Sequence, residues 1–163
     1  MSPEAYNESV ELHADSVYRF IFRSIGCKET SEDIVQDAYE KLWIYRSNVS
    51  TEKAKAFLFK TAYNKMIDYT RKNKRQFIMG EGMETACPEP NPDHYNGFNE
   101  ILEKAVGLLP DYQRSVLLLR DYEGYSYREI GEITGLNESQ VKVYIYRARL
   151  FLKNYFVSIE NVY

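Results

Sequence analysis

Residues 57–75 read FLFKTAYNKMIDYTRKNKR, and the interpretation of the whole chain starts from this stretch. Apolar residues recur at spacings of three and four, at Leu58, Ala62 and Met66, which is the pattern of a helix with one buried face. No Gly or Pro interrupts the stretch, so one continuous helix is predicted. The charged residues are six bases and one acid: Lys60, Lys65, Arg71, Lys72, Lys74, Arg75 and Asp68. A basic face of this kind suits nucleic-acid phosphates, although a solvated helix surface over an ordinary core has the same pattern.

The composition of the chain bounds its class. The 163 residues have a net charge of −3, which argues against a generally basic nucleic-acid binder, and 44% of them are hydrophobic, enough for the cores of one or two small domains. The N-terminal residues MSPEAYNESVELHAD are polar and acidic, unlike a signal peptide, and no apolar run reaches the length of a membrane span. A cytoplasmic protein is therefore expected.

Metal-ligating residues are sparse. Cys27 and Cys87 lie far apart without a CxxC spacing, and His13 and His94 are the only histidines. Structural thiols are expected at both cysteines, and no metal or other cofactor is expected. The sequence also lacks a nucleophile–base pair and a phosphate-binding Gly loop, so the protein is not expected to be an enzyme.

Two helices are predicted before the basic helix. The first extends over Pro3–Ser24 and is ended by Gly26. The second begins at Thr30, with Asp33 completing a capping-box-like pair, and Trp43 is assigned to the core. The predicted inner face of this second helix consists of Ile34, Ala38, Leu42 and Tyr45.

The helical periodicity stops after the basic helix. Residues 79–97, MGEGMETACPEPNPDHYNG, contain three Pro, three Gly and four acidic residues, with no Lys or Arg. Such a composition is typical of a flexible acidic linker. The predicted organisation is therefore a first domain over residues 1–76, a linker over 77–98 and a second domain over 99–163.

The second domain ends in a helix-turn-helix pattern. Ser126 and Glu129 predict a capping box, residues 134–136 (TGL) form a Gly-containing turn, and Asn137 with Gln140 predicts the cap of the last helix. A short helix, a short turn and a second helix are the signature of this DNA-binding motif. The fold class predicted for the chain is all-α, with two small helical domains.

Two stretches resemble the extracytoplasmic-function (ECF) sigma factors of bacterial RNA polymerase. Residues 57–72 match the pattern F-L-[YF]-[RK]-x-A-x-N-x-x-[IL]-D-x-x-R-[RK], and residues 109–131 (LPDYQRSVLLLRDYEGYSYREIG) match L-P-x-x-x-R-x-V-x-x-L-x-x-x-E-G-x-S-x-x-E-I-A. The resemblance extends from about Tyr18 to Tyr155. It implies a promoter-specificity subunit that directs core polymerase to paired −10 and −35 elements and promotes DNA opening.

The resemblance implies two roles for the first domain. It docks on the coiled coil of the polymerase β′ subunit through Asp33, Gln36, Asp37 and Glu40. It also recognises and opens the −10 element, where a base flipped out of the duplex enters a pocket formed by the loop and the basic helix. The implied −10 residues are Ser47, Asn48, Lys60, Tyr63, Asn64, Lys65, Asp68, Arg71 and Lys72.

For the second domain, the resemblance implies docking on the polymerase β flap and reading of the −35 duplex. The implied −35 residues are Gln140, Lys142, Val143, Tyr144, Tyr146, Arg147 and Arg149. The family's T-V-[KR]-[ST]-[RH] appears here as residues 140–144, QVKVY, without the hydroxyls that commonly contact phosphates. The resemblance also implies that the acidic linker threads the RNA channel of the polymerase.

The resemblance also implies a regulatory partner, and the sequence leaves two rival functions open. ECF factors are usually held inactive by an anti-sigma factor, often anchored in the membrane, so such a partner is expected for this chain. The first rival is a stand-alone helix-turn-helix regulator, for which the sequence offers no obvious dimerisation helix. The second rival is an RNA-binding or protein-interaction adaptor that uses the basic, aromatic helix.

Overall fold

The structure is a computed structural model that describes residues 1–78 and 97–162. Within these ranges no strand occurs and the regular structure is helical, which confirms the all-α prediction. The described α-helices are α1 (Pro3–Ile25), α2 (Lys28–Ile44), α3 (Ala54–Ile78), α4 (Gly97–Gly107), α5 (Asp111–Leu117), α6 (Tyr127–Thr134) and α7 (Glu138–Val162). The chain divides into two compact units, with the boundary between Pro90 and Asn91. The predicted acidic linker falls almost entirely outside the described residues.

Three helices enclose the core of the first unit. Helix α1 is capped at its start by Ser2, whose hydroxyl accepts from the backbone N–H of Ala5 at 3.1 Å, and at its end by Gly26 in the left-handed conformation (φ 70°). The rings of Phe20 and Phe59 meet in the core with their centroids 5.8 Å apart. The buried core residues include Val17, Phe20, Ile21, Ile34, Ala38, Leu42, Leu58, Phe59, Ala62 and Met66. The buried stripe predicted for the basic helix is therefore confirmed.

Helix α2 begins earlier than its sequence pattern predicts. Its N-cap is Cys27, which makes no side-chain capping bond, and Thr30 already lies within the helix. Ser31 is buried, and its hydroxyl donates to the carbonyl oxygen of Cys27 one turn back. The predicted capping pair of Thr30 and Asp33 is therefore wrong, because the chain has entered the helical conformation two residues before it.

Three expectations for side chains of this helix are also wrong. Trp43 is 39% exposed and Tyr45 is exposed, so neither belongs to the core. Both lie at the C-terminal end of α2, where the helix stops at Ile44 and Tyr45 becomes the cap residue. Cys27 is buried and disulfide-bonded, in contrast to the thiol that was expected, and Cys87 lies outside the described residues.

The second unit is built around α5 and α7. Its buried side chains include Ala105, Val106, Leu109, Val116, Leu117, Leu118, Leu119, Ile130, Ile133, Val141, Ile145 and Ala148. Helix α5 continues into a π-helical turn over Leu118–Tyr122, which the sequence did not predict. The wider turn accommodates an additional residue, and the five consecutive residues 115–119 are all buried.

Arg114 joins α4 to α5. Its guanidinium donates to the carbonyl oxygens of Val106 at 3.1 Å, Gly107 at 2.8 Å and Leu109 at 2.6 Å, and it forms an ion pair with Asp111 at 3.3 Å. The Val106 and Gly107 carbonyls belong to the last turn of α4, where carbonyls lack partners within the helix, and Leu109 lies just beyond it. The Val106 carbonyl also accepts from the backbone N–H of Leu109 at 3.1 Å. Burial lowers the pKa of Arg114 and the carboxylate of Asp111 opposes this, so the group remains a cation at neutral pH.

Candidate nucleic-acid interfaces

The exposed face of α3 presents polar and basic side chains. Lys60, Asn64, Asp68, Arg71 and Lys72 are exposed and lie on the side of the helix opposite the buried stripe. Positions three and four apart share one helix face, so Asn64 lies between the cation of Lys60 and the carboxylate of Asp68. An amide can donate to and accept from a base edge, while the cations suit the phosphates of the same strand.

Two predicted residues of α3 differ from this exposed set. Tyr63 is only 3% exposed and packs in the core of the first unit, so its ring has no surface to offer to DNA. The expectation for Tyr63 is corrected here, because one helical step separates it from the exposed Asn64. Lys65 is half-buried, and its Nζ lies 3.5 Å from a carboxylate oxygen of Asp37 on α2.

The acidic stripe of α2 lies beside this helix. Asp33, Gln36 and Glu40 are exposed, whereas Asp37 is half-buried and paired with Lys65. The four residues have the spacing of a single helix face. The ion pair between Asp37 and Lys65 connects the stripe to the basic helix.

A short polar loop separates α2 from α3. Ser47 and Asn48 are both exposed in this loop, and the backbone N–H of Asn48 donates to the carbonyl oxygen of Tyr45 at 2.9 Å. A single turn of 3₁₀-helix, Thr51–Lys53, then leads into α3. Small polar side chains held in a turn beside a basic helix can form hydrogen bonds with an unstacked base.

The helix-turn-helix motif of the second unit forms with the caps that its sequence predicts. The hydroxyl of Ser126 accepts from the N–H of Glu129, and the Glu129 carboxylate accepts from the N–H of Ser126, both at 3.2 Å. Asn137 and Gln140 make the corresponding exchange at 2.8 and 3.0 Å. Both capping boxes are therefore confirmed, and they fix the direction in which α7 begins.

The outward face of α7 has the features of a recognition helix. Lys142, Val143, Tyr146 and Arg147 are exposed, with Tyr146 at 67% and Val143 at 44%. Gln140 is exposed too, but its amide oxygen already accepts a bond within the cap of α7. Val143 and Tyr146 lie among cations near the start of the helix, which is the part of a recognition helix that contacts base edges.

Two other predicted residues of α7 have partners within the unit. Tyr144 is half-buried, stacks on Tyr112 of α5 at a centroid distance of 6.1 Å and lies 6.0 Å from the Arg147 guanidinium. Arg149 forms a two-pronged hydrogen bond with the carboxylate of Asp121 in the π-helical turn. This bond, ahead of other effects, raises the pKa of Arg149. The side chain of Arg149 is thereby held against its own unit.

Arg120 and Tyr127 lie beside α7 on this surface and were not identified from the sequence. The guanidinium of Arg120 lies 4.5 Å from the ring centroid of Tyr127, and the Nζ of Lys142 lies 5.5 Å from the same centroid. Arg120 is also held by a 2.9 Å bond to the carbonyl oxygen of Tyr125. Two cations that share one aromatic ring are suited to phosphate oxygens. The only sequence signal for this pair was the position of Arg120, in the last turn before the helix-turn-helix motif.

Neither a metal cluster nor a membrane-spanning helix occurs among the described residues. No group of three or more His, Cys, Asp or Glu side chains there could hold a metal ion. None of the described helices is long and apolar enough to cross a membrane.

Comparison with known proteins gives matches to both units. The family model of Sigma-70 region 2 matches residues 10–76, and that of Sigma-70 region 4 matches residues 99–152. The RNA polymerase sigma factor YlaC of Bacillus subtilis is 32% identical over 148 residues, covering 84% of this chain and 83% of YlaC. The ECF RNA polymerase sigma factor SigM of the same organism is 28% identical over 150 residues, covering 90% of this chain and 92% of SigM.

A solved structure has a similar fold. The sigma factor RpoE, in a co-crystal structure with the anti-sigma factor NepR from Bartonella quintana, superimposes with a TM-score of 0.77 at 23% sequence identity. The match covers 93% of this chain and 96% of that one. Together with the family models and the relatives, the two helical units show that the chain belongs to the ECF family of RNA polymerase sigma factors.

Proposed function

We propose that this chain directs core RNA polymerase to promoters by reading a −10 element with its first unit and a −35 element with its second. One observation supports this proposal most strongly. Each unit has an exposed basic surface suited to DNA, and each of these surfaces lies within a segment that matches a Sigma-70 region. A regulator that acts alone needs only the second of these surfaces.

In the first unit, the acidic stripe of α2 docks on the coiled coil of the polymerase β′ subunit. The exposed residues Asp33, Gln36 and Glu40 supply most of this contact, with Asp37 at its edge. The loop residues Ser47 and Asn48, together with the amide of Asn64, receive an unstacked base of the −10 element. The cations of α3, which are Lys60, Lys65, Arg71 and Lys72, contact the phosphates of the opened strand.

In the second unit, α7 enters the major groove of the −35 element. Lys142, Val143, Tyr146 and Arg147 face the DNA, and the Arg120–Tyr127 pair binds a phosphate at the edge of the groove. Base edges specify sequence, whereas phosphate contacts fix the register of the protein on the duplex. Since Arg149 is bound to Asp121, it holds α7 against the π-helical turn of the same unit. The remaining surface of this unit docks on the β flap.

The energetics require a partner. Opening a duplex costs about 1.4 kcal/mol for each stacking step. One base captured on a protein surface returns about 1–3 kcal/mol. A few captured bases therefore offset only the first steps of a transcription bubble, so the polymerase supplies the remainder. The chain itself performs no covalent chemistry and acts in the cytoplasm, where it meets the polymerase and the chromosome.

Control of this activity comes from an anti-sigma factor. The solved RpoE structure contains such a partner, and the same class of protein is proposed for this chain. Its natural targets are the acidic stripe of α2 and the exposed face of α7, because covering either one blocks a step of initiation. A membrane-anchored anti-sigma factor allows an external signal to control a cytoplasmic chain.

Promoter opening tests the proposal. Thymine reactivity to permanganate is measured on a linear promoter fragment with the chain alone, with core polymerase alone and with both. We expect opening only with both, and less of it when Asn64→Ala replaces the wild-type chain. Asn7→Ala, an exposed Asn on α1 of the same unit, is the matched control. If the chain alone binds the duplex tightly and core polymerase adds nothing, the stand-alone regulator is the correct account.

A further inference from the structure

Three side chains stack at the point where α2 ends and the polar loop begins. The ring of Trp43 meets the ring of Tyr6 from α1 edge-on, with centroids 4.9 Å apart and an interplanar angle of 67°. On the same Trp43 ring, the guanidinium carbon of Arg46 lies 3.9 Å from the centroid. We call these three residues the Tyr6–Trp43–Arg46 stack.

The Tyr6 end of the stack is fixed to the body of the first unit. The hydroxyl of Tyr6 donates to the carbonyl oxygen of Tyr39 at 3.2 Å, and the two rings pack at right angles with centroids 6.3 Å apart. The hydroxyl of Tyr39 donates in turn to the carbonyl oxygen of Ser9 at 3.3 Å. Burial raises the pKa of Tyr6, so its phenol keeps its proton and remains a donor at neutral pH.

The Arg46 end of the stack controls how the chain leaves α2. Its guanidinium donates at 2.7 Å to the carbonyl oxygen of Trp43, in the last turn of α2, where carbonyls lack the usual partner four residues on. The backbone N–H of Arg46 also approaches this oxygen, at 3.4 Å. Ser47 and Asn48 follow immediately, so the orientation of these two side chains depends on where Arg46 is held.

The exposure of Trp43 argues that the stack serves the loop. A large aromatic ring that stabilises only the core is normally enclosed by other side chains, whereas this ring is 39% exposed and has a cation on it. The neighbouring Ile44 is exposed at 63% and has no such arrangement. The cation on the Trp43 ring therefore lies beside the first residues of the loop.

We propose that the Tyr6–Trp43–Arg46 stack is the positioning element for Ser47 and Asn48 and sets how sharply the loop discriminates among bases of the single-stranded −10 element. The stack itself does not contact the base. This role rests on the proposed function, because it needs the loop to receive an unstacked base. Trp43 and Arg46 are positioning residues, and their effect is expected in discrimination and not in overall binding.

The test uses holoenzyme assembled from core polymerase and the full chain. The probe is a fluorescein-labelled single-stranded 20-mer carrying the −10 sequence of a mapped promoter, with versions in which each base is replaced in turn. The measured quantity is the ratio of affinities for the intact and the base-replaced strands. Trp43→Ala and Arg46→Ala are expected to lower this ratio by about two- to fivefold.

Conservative variants and controls separate positioning from a general structural effect. Trp43→Phe keeps an aromatic ring and is expected to retain most of the discrimination, whereas Arg46→Lys keeps only the charge and is expected to be intermediate. Ile44→Ala, on the adjacent exposed residue, is expected to match the wild type. Affinity for core polymerase and for −35 duplex is expected to be unchanged in all of these variants.

The outcomes are distinct. Unchanged discrimination in both Trp43→Ala and Arg46→Ala, with core binding intact, would overturn the positioning role and leave the proposed function standing. An equal loss for −35 duplex would also overturn it, because the effect would then be global. Wild-type holoenzyme without any −10 base preference would overturn the proposed function, and the positioning role with it.

Discussion

Replacing Arg114 by Met is expected to destabilise the second unit and leave the first unit unchanged. The substitution keeps a long apolar stem but removes the guanidinium that serves three carbonyl oxygens, those of Val106, Gly107 and Leu109. Val106 and Leu109 are buried residues and Gly107 is exposed, but the Val106 carbonyl also accepts from the backbone N–H of Leu109 at 3.1 Å. The Leu109 carbonyl is therefore the buried acceptor that loses its donor.

The magnitude follows from these partners. A buried acceptor left without a donor costs about 1–3 kcal/mol. One such acceptor, the Leu109 carbonyl, therefore gives about 1–3 kcal/mol, and the desolvation recovered by removing a buried cation brings the expected loss to roughly 1–2 kcal/mol. Arg114→Lys is expected to recover only part of it, because an ammonium cannot serve three carbonyls in fork geometry.

The chain offers a way to follow the two units separately. Trp43 is the only Trp of the chain and lies in the first unit, so its fluorescence reports on that unit alone. Far-UV circular dichroism reports on the helices of both units. In urea, Arg114→Met is expected to move the part of the dichroism transition that belongs to the second unit and to leave the fluorescence transition in place.

Arg128→Met is the matched control. Its side chain is 83% exposed and pairs with Glu132 at 3.5 Å along α6. Such a surface pair contributes about 0.3–0.5 kcal/mol, so its loss is expected to be barely measurable. A loss below about 1 kcal/mol for Arg114→Met, or an equal shift of the fluorescence transition, would refute the reasoning.

Three further predictions follow from single contacts. Burial, together with the charge of Lys55, lowers the pKa of His13 below 6.5, so the unfolded chain binds more protons at this residue than the folded chain does. The stability of the first unit is therefore expected to fall as the pH drops through 6.5. His13→Gln is expected to flatten this dependence in fluorescence-monitored urea titrations at several pH values. The exposed pair of Asp121 and Arg149 is expected to give a coupling of about 0.5–1 kcal/mol in a double-mutant cycle measured by urea unfolding, and a coupling near zero would contradict the observed bond. Lys142→Ala is expected to reduce the slope of log affinity against log salt for −35 duplex by about one, whereas Tyr146→Ala, at another exposed residue, is expected to leave the slope unchanged. Equal slopes for the wild type and Lys142→Ala would exclude a phosphate contact by Lys142.

The elements that the sequence predicts well are those with strong local signals. The stripe at Leu58, Ala62 and Met66 is buried because helical periodicity places these residues on one side of α3. The capping box of Ser126 and Glu129 forms because both of its bonds are local and close within one turn.

The features that sequence patterns miss depend on neighbours distant in the chain. Nothing near Trp43 in the sequence indicates that Tyr6, in another helix, covers only one side of its ring. The DNA contact expected of Tyr63 came from the family resemblance, whereas helical periodicity places Tyr63 four residues after Phe59 on the buried side of α3. The bond between Asp121 and Arg149 joins residues 28 positions apart and depends on the π-helical turn.

Transcription in vitro from a fragmented library of the source genome tests the central claim most directly. Core polymerase from the same organism is used with and without the chain, and new 5′ ends are mapped by sequencing. The account predicts discrete new start sites that share two upstream boxes at a fixed spacing, and these sites disappear when the chain is omitted. Binding of the chain to DNA without any association with core polymerase, together with no new start sites, would contradict it.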